Sequence, residues 1–148
     1  MNFKPFCKTE IEFSTKEYLK KYLLNLSSKQ SFTLLMSESS AKRLGFYDLI
    51  QEILRGNNNI HWISQIDSNP TQQSVINALK IIEGKKPPLL IAIGGGSAID
   101  LAKGISAFYD TFYTGANQVD DITKCLVEKN YFENEFIDII ACPTTSGT

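Results

Sequence analysis

The sequence predicts a doubly wound α/β domain built on a mostly parallel sheet, and three observations carry that expectation. Strand-like and helix-like apolar periods alternate along the chain. Several strand-like runs, FTLLM at 32–36 and LLIAI at 89–93 among them, are continuously apolar rather than striped, which suits strands covered on both faces. No internal repeat or linker divides the 148 residues, a length that fits one domain with its own core.

The elements follow in order. Thr9 to Phe13 alternates as a short strand, and Ser14 with Glu17 has the spacing of a capping box. Tyr18, Leu19, Tyr22, Leu23 and Leu26 then recur at helical spacing. After the strand at Phe32–Met36, Ala41 to Arg55 reads as one helix with Leu44, Tyr47, Ile50 and Leu54 on a face, stopped by Gly56 and three asparagines. Ile60–Ser64 is a strand, and Asp67–Thr71 is a loop whose Thr71 caps a helix carrying Val75, Ile76, Leu79 and Ile82, ended by Gly84. Pro87 and Pro88 lead into the strand Leu89–Ile93, a glycine turn and a helix from about Ser97 to Tyr109. A helix around Gln118–Glu128 and a strand at Phe136–Ala141 complete the series.

Composition narrows the function classes. Fifteen basic against sixteen acidic side chains create no general field for nucleic acid or an anionic membrane. Cys7, Cys125 and Cys142 are odd in number and lack CxxC spacing, so neither a disulfide framework nor a zinc knuckle is expected. The N-terminus places Lys and Glu too early for a signal peptide, and no apolar run approaches the roughly 20 residues of a membrane span. A cytoplasmic protein is the expectation.

The chemistry concentrates at strand ends, where open α/β sheets bind ligands. Ile93-Gly94-Gly95-Gly96-Ser97 ends a strand and opens a helix. Glycines let a ligand approach the backbone, and the helix start offers N–H groups and a positive dipole end to a phosphate. Triple glycine also occurs in turns without ligands, Ser97 with Asp100 has capping-box spacing, and the motif departs from G-x-G-x-x-G. A carboxylate beside pyrophosphate would repel it, so Asp100 caps the helix or bonds a ribose or amide group. Cys142 to Thr148 supplies hydroxyl and N–H donors after the last strand, or a plain polar turn. Ser37-Glu38 places a carboxylate where ribose hydroxyls could donate, though a solvated loop residue reads the same way.

Three separated motifs, IAIGGGSAIDLAK at 91–103, NPT at 69–71 and PTTSGT at 143–148, together resemble the iron-containing alcohol dehydrogenase family. Dehydroquinate synthases and glycerol dehydrogenases share the glycine turn but usually lack the serine after it and this P-T-T. The resemblance implies a Rossmann-like N-terminal domain of the dehydroquinate synthase-like/iron alcohol dehydrogenase fold across residues 1–148, with the C-terminal helical metal-binding domain absent from this chain. It implies NAD or NADP as cofactor, with Gly95, Gly96 and Ser97 on the pyrophosphate and Asp100 nearby. Thr144 and Thr145 would line the nicotinamide side, with Thr148 in the same donor set, and Asn69 would lie at the cofactor cleft. Glu38 would take the place of an adenosine-ribose acid. Family members often carry Asp there, which leaves the choice of NAD or NADP open. The PTTSGT spelling and the run DLAKGISAF look like the phosphonoacetaldehyde reductase branch.

The activity so implied is hydride transfer between an alcohol and an aldehyde, both small molecules, in a homo-oligomer, with Fe2+ or Zn2+ expected only in the full-length enzyme. No catalytic or metal-ligating residue is assigned to this chain. Its single histidine, His61, sits beside Trp62 in a predicted strand and reads as a packed residue. Cys142 has no partner base in view and reads as a small buried side chain. The 148 residues alone are not expected to catalyse the reaction. The rival readings are a non-catalytic nucleotide-binding module and the cofactor domain of a glycerol dehydrogenase or dehydroquinate synthase relative.

Overall fold

The computed structural model describes residues 15–82, 86–115, 118–128 and 135–144. The expected strand at Thr9–Phe13 and the expected cap Ser14 lie outside them. The first helix, α1 (Lys16–Ser27), is capped instead by Thr15, whose hydroxyl accepts from the Tyr18 N–H at 3.2 Å. Next come β1 (Thr33–Leu35), α2 (Glu38–Leu44), α3 (Tyr47–Gly56) and β2 (His61–Ile63). They are followed by α4 (Gln72–Ile81), β3 (Leu89–Gly94), α5 (Gly96–Thr114), α6 (Gln118–Glu128) and β4 (Asp138–Pro143).

The last strand, expected at Phe136–Ala141, runs Asp138–Pro143, and three further boundaries differ from the sequence expectation. Ala41 to Arg55 is not one helix, because Gly45 adopts φ 73° and turns the chain between α2 and α3. Its N–H reaches back to the carbonyls of Ala41 and Lys42, which closes α2, and Phe46 then packs into the core. The helix after the glycine turn begins at Gly96 with Gly95 as N-cap, so the Ser97–Asp100 capping box does not form. The Ser97 hydroxyl is drawn across to the Ser68 carbonyl, and Asp100 pairs with Lys103 at 3.0 Å. That helix also runs on to Thr114, beyond the expected Tyr109, because Phe112 continues its buried stripe.

The four strands form one parallel sheet in the order β2-β1-β3-β4. Alternate strand residues feed two cores, as the period of two requires. Leu34, Met36, Ile91 and Ile93 face α1, α2 and α3. Leu35, Ile63, Leu90 and Ala92 face α4, α5 and α6. The helices that follow β1 and β3 therefore lie on opposite faces, which opens a crevice between the carboxyl ends of those two strands. All six β3 residues are buried, whereas β4 at the sheet edge is largely half-exposed or exposed.

The amino ends of β3 and β4 are tied together. Lys86 bridges to Asp110 at 2.8 Å and donates to the Glu135 carbonyl at 2.7 Å. Asp110 also accepts the Glu135 N–H at 3.2 Å. Nearby, the buried Ser106 hydroxyl of α5 donates to the Ile137 carbonyl at 2.7 Å, just before β4 begins. The edge strand is thus anchored by α5, and its carboxyl end is free to form the wall of a site.

Candidate cofactor cleft

A cleft of about 180 Å³ occupies the crevice between β1 and β3. One wall is Ile93-Gly94-Gly95 with Ser97 and Ala98, the β3–α5 turn. The opposite wall comes from Ser37 and Ser40 after β1 and from Ile66, Asp67 and Ser68 after β2. Asp67 supplies the charge among these lining residues.

The three glycines of the turn do three different things. At Gly94 a Cβ would meet the Ala98 Cβ at 3.1 Å, so this glycine lets α5 seat against β3. Gly95 has φ −78° and ψ −172°, a conformation open to any residue, and lines the cleft as the N-cap of a 19-residue helix. A Cβ at Gly96 would have nothing within 4 Å. Backbone conformation does not require glycine at Gly95, and at Gly96 neither conformation nor packing does. What they share is an open approach to the first turn of α5, whose leading N–H groups have no acceptor within the helix.

No side chain among the described residues caps α5, although Ser or Asp at the N-cap position would ordinarily do so. By contrast, α4 is closed at its start. The Thr71 hydroxyl accepts from the Ser74 N–H, and the Ser74 side chain accepts from the Thr71 N–H at 3.0 Å. Of the helix starts that line the cleft, α2 is capped by the Ser37 hydroxyl, which accepts from the Ser40 N–H at 3.2 Å, and α5 is left open.

The residues expected from sequence separate into those at the cleft and those beside it. Gly95 and Ser97 line it. Thr144 follows β4, and its N–H donates to the Gly94 carbonyl at 2.9 Å, so the end of β4 and the glycine turn are joined directly. Gly96 sits exposed on the outer edge of the turn, and Asn69 is exposed in the loop next to Ser68. Asp100 is exposed one turn into α5 and is paired with Lys103. Glu38 stands at the start of α2, where its carboxylate meets Lys42 at 2.5 Å. That contact and the carboxylate's charge hold the Lys42 ammonium above its usual range. Thr145 and Thr148 lie outside the described residues.

Ser40, Ile66, Asp67 and Ser68 were not singled out by sequence reasoning. They follow strands, so the rule that ligands gather at carboxyl ends was the available signal. It could not tell which of several polar loop residues turn inward. Cys142 pairs in register with Ile93 and is half-buried. Burial raises its thiol pKa, which disfavours the thiolate a nucleophile needs. Among the described residues, no three His, Cys, Asp or Glu side chains gather as a metal site, and no helix is long and apolar enough to cross a membrane.

A parallel sheet with this order, with an uncapped glycine turn at its switch point and the end of β4 beside it, defines a Rossmann-like α/β domain. The sequence model of the iron-containing alcohol dehydrogenase family matches residues 9–148. The chain belongs to that family. An alcohol dehydrogenase of Thermococcus barophilus is 28% identical over 127 residues, which is 85% of this chain and 33% of the relative. The NADPH-dependent butanol dehydrogenase of Clostridium saccharobutylicum is 28% identical over 127 residues, 85% of this chain and 31% of its own. The NADH-dependent butanol dehydrogenase A of Clostridium acetobutylicum is 40% identical over 74 residues, 48% of this chain and 19% of its own. In fold, the chain is similar to an iron-containing alcohol dehydrogenase of Thermotoga maritima. That likeness has a TM-score of 0.62 at 20% identity and covers 88% of this chain and 34% of the other. The chain thus spans about a third of the length of the first two relatives.

Proposed function

We propose that this chain is the NAD(P)-binding half of a metal-dependent alcohol dehydrogenase that interconverts an alcohol and an aldehyde by hydride transfer. The observation that carries the reading is Gly95. It is a glycine that the backbone does not require, placed at the N-cap of a long uncapped helix on the wall of the switch-point cleft. Such an arrangement leaves room and free donors for a pyrophosphate. The family's dehydrogenases supply the redox chemistry, with both NADH- and NADPH-dependent relatives among them by name.

In this reading the backbone N–H groups at Gly95, Gly96 and Ser97 hold the pyrophosphate. The Ser97 side chain meanwhile steadies the facing loop through the Ser68 carbonyl. Thr144, fixed to Gly94, orients the nicotinamide side together with Thr145 and Thr148. Asn69 borders the cleft from the β2–α4 loop, Asp100 stands nearby on α5, and Glu38 lies at the adenosine end. The bound nicotinamide carries the hydride, and the protein's part is orientation and electrostatics. The metal, Fe2+ or Zn2+, belongs in this reading to the helical domain of the full-length enzyme. The substrate is a small alcohol or aldehyde, and the enzyme is a cytoplasmic homo-oligomer.

Gly95→Asp tests the site. An aspartate cap on α5 raises stability by a few tenths to about 1 kcal/mol. The same carboxylate occupies the anion position, so NADH and NADPH affinity falls by about tenfold or more. Calorimetric titration showing unchanged affinity in a stably folded Gly95→Asp chain refutes this placement of the cofactor.

A further inference from the structure

The cleft is bridged by one of its own side chains. The Ser97 hydroxyl of α5 donates to the Ser68 carbonyl of the β2–α4 loop at 2.5 Å, and both residues line the cleft, on opposite walls. A hydroxyl has a single proton to donate, and here it is committed to the loop. Ser97 therefore has none left for an anion at the start of α5, and its side chain does not cap that helix. The bond serves neither its own helix nor the anion position. It holds a loop across the crevice.

The loop is fixed at both of its ends. At the start, the Ser64 carbonyl accepts the Glu38 N–H at 3.3 Å. At the far end, the Thr71–Ser74 capping box and the Asp67 carboxylate, which accepts the Ser74 hydroxyl at 2.5 Å, seat it on α4. Ile66 packs against the core in between, whereas Asp67, Ser68 and Asn69 form an exposed tip. The partner across the cleft is rigid, since α5 is anchored by a buried stripe from Ala98 to Phe112. Two fixed ends, an exposed tip and one hydrogen bond to a fixed wall are the parts of a closing loop. We propose that Ser97 is a positioning residue whose hydroxyl straps the β2–α4 loop shut across the cleft. Resting on the cofactor reading above, breaking and remaking this bond admits and retains the dinucleotide.

Two measurements on the 148-residue chain test it. The first needs no ligand: native-state proteolysis with an endoprotease that cuts before aspartate, read by mass. Cleavage before Asp67 quickens by about threefold to tenfold in Ser97→Ala, the effect of losing one hydrogen bond. It stays near the wild-type rate in Ser97→Thr, which keeps the hydroxyl. Cleavage before Asp110, inside α5, is the same in all three chains. The second measurement is stopped-flow binding of NADH. In Ser97→Ala the association and dissociation rate constants both rise by about threefold or more, and the dissociation constant stays within about threefold, because a strap governs passage rather than the bound contacts. A hydroxyl that bonded the pyrophosphate instead would raise dissociation alone and weaken affinity by about tenfold or more. Unchanged cleavage before Asp67 in Ser97→Ala overturns the strap, as does Ser97→Thr behaving like Ser97→Ala. Normal NADH binding with unaltered rates, or with dissociation alone raised, overturns the gating role. A wild type that binds no NADH removes the cofactor reading itself, and the gating role falls with it.

Discussion

Thr33 is buried in the middle of the sheet, and its Oγ1 has no hydrogen-bond partner among the described residues. A buried hydroxyl without a partner costs free energy that an apolar group of the same shape does not. Thr33→Val should therefore raise stability by about 1 kcal/mol, seen as a higher urea midpoint at unchanged slope; a lower midpoint would show that the hydroxyl is satisfied. At the residue scale the sequence is least explicit. The glycine turn stood out at once, but the separate duties of Gly94, Gly95 and Gly96 depend on where Ala98 and the facing loop come to rest. Glu38 and Asp67 look equally polar in the sequence. In the structure one is bound to Lys42 and the other faces the cleft.

Among the elements, the break between α2 and α3 is the clearest departure from sequence periodicity. The apolar positions Leu44, Tyr47, Ile50 and Leu54 are compatible with one continuous helix, and Gly45 alone marked the possibility of a break. A left-handed glycine lets the chain turn so that Phe46, Ile50 and Ile53 all reach the core. An alanine at φ 73° would be strained, although a Cβ there meets only the Lys20 Nζ at 3.7 Å. Gly45→Ala should thus cost about 1 kcal/mol from backbone conformation rather than crowding. Thermal unfolding would show it as a lowered midpoint, and an unaltered midpoint would mean that α2 and α3 join without penalty. The remaining elements were legible because their apolar runs and caps agree locally with the tertiary environment. Thr71 as the cap of α4 and the continuous burial of β3 are the plainest cases. The exposure of β4 was not legible, since an apolar run alone does not show whether a strand is central or at an edge.

At the scale of the whole molecule, Tyr109 of α5 lies in the core shared by α4, α5 and α6. Its phenol is 4% exposed and is pushed up to about 12, chiefly by burial and further by Tyr113 and Asp110. The unfolded phenol keeps the ordinary value of 10.0. Because the folded value is the higher one, its contribution is intact below pH 10 and is lost as pH rises toward 12. Stability should fall across that window, and Tyr109→Phe should flatten the fall; denaturant titrations at closely spaced alkaline pH would show either the expected flattening or equal slopes that refute it.

The sequence by itself determined the class of this domain, the order of its elements, the position of the glycine turn and membership of a dehydrogenase family through three spaced motifs. Those features are local: apolar period, capping residues and turn composition act over a few neighbouring residues. Only the tertiary structure decided which strands meet, which loop faces the glycine turn, and that Asp67 rather than Glu38 lines the cleft. The cleft is made where β1 and β3 become neighbours, 29 residues separate Ser68 from Ser97, and no local pattern encodes a contact across that distance.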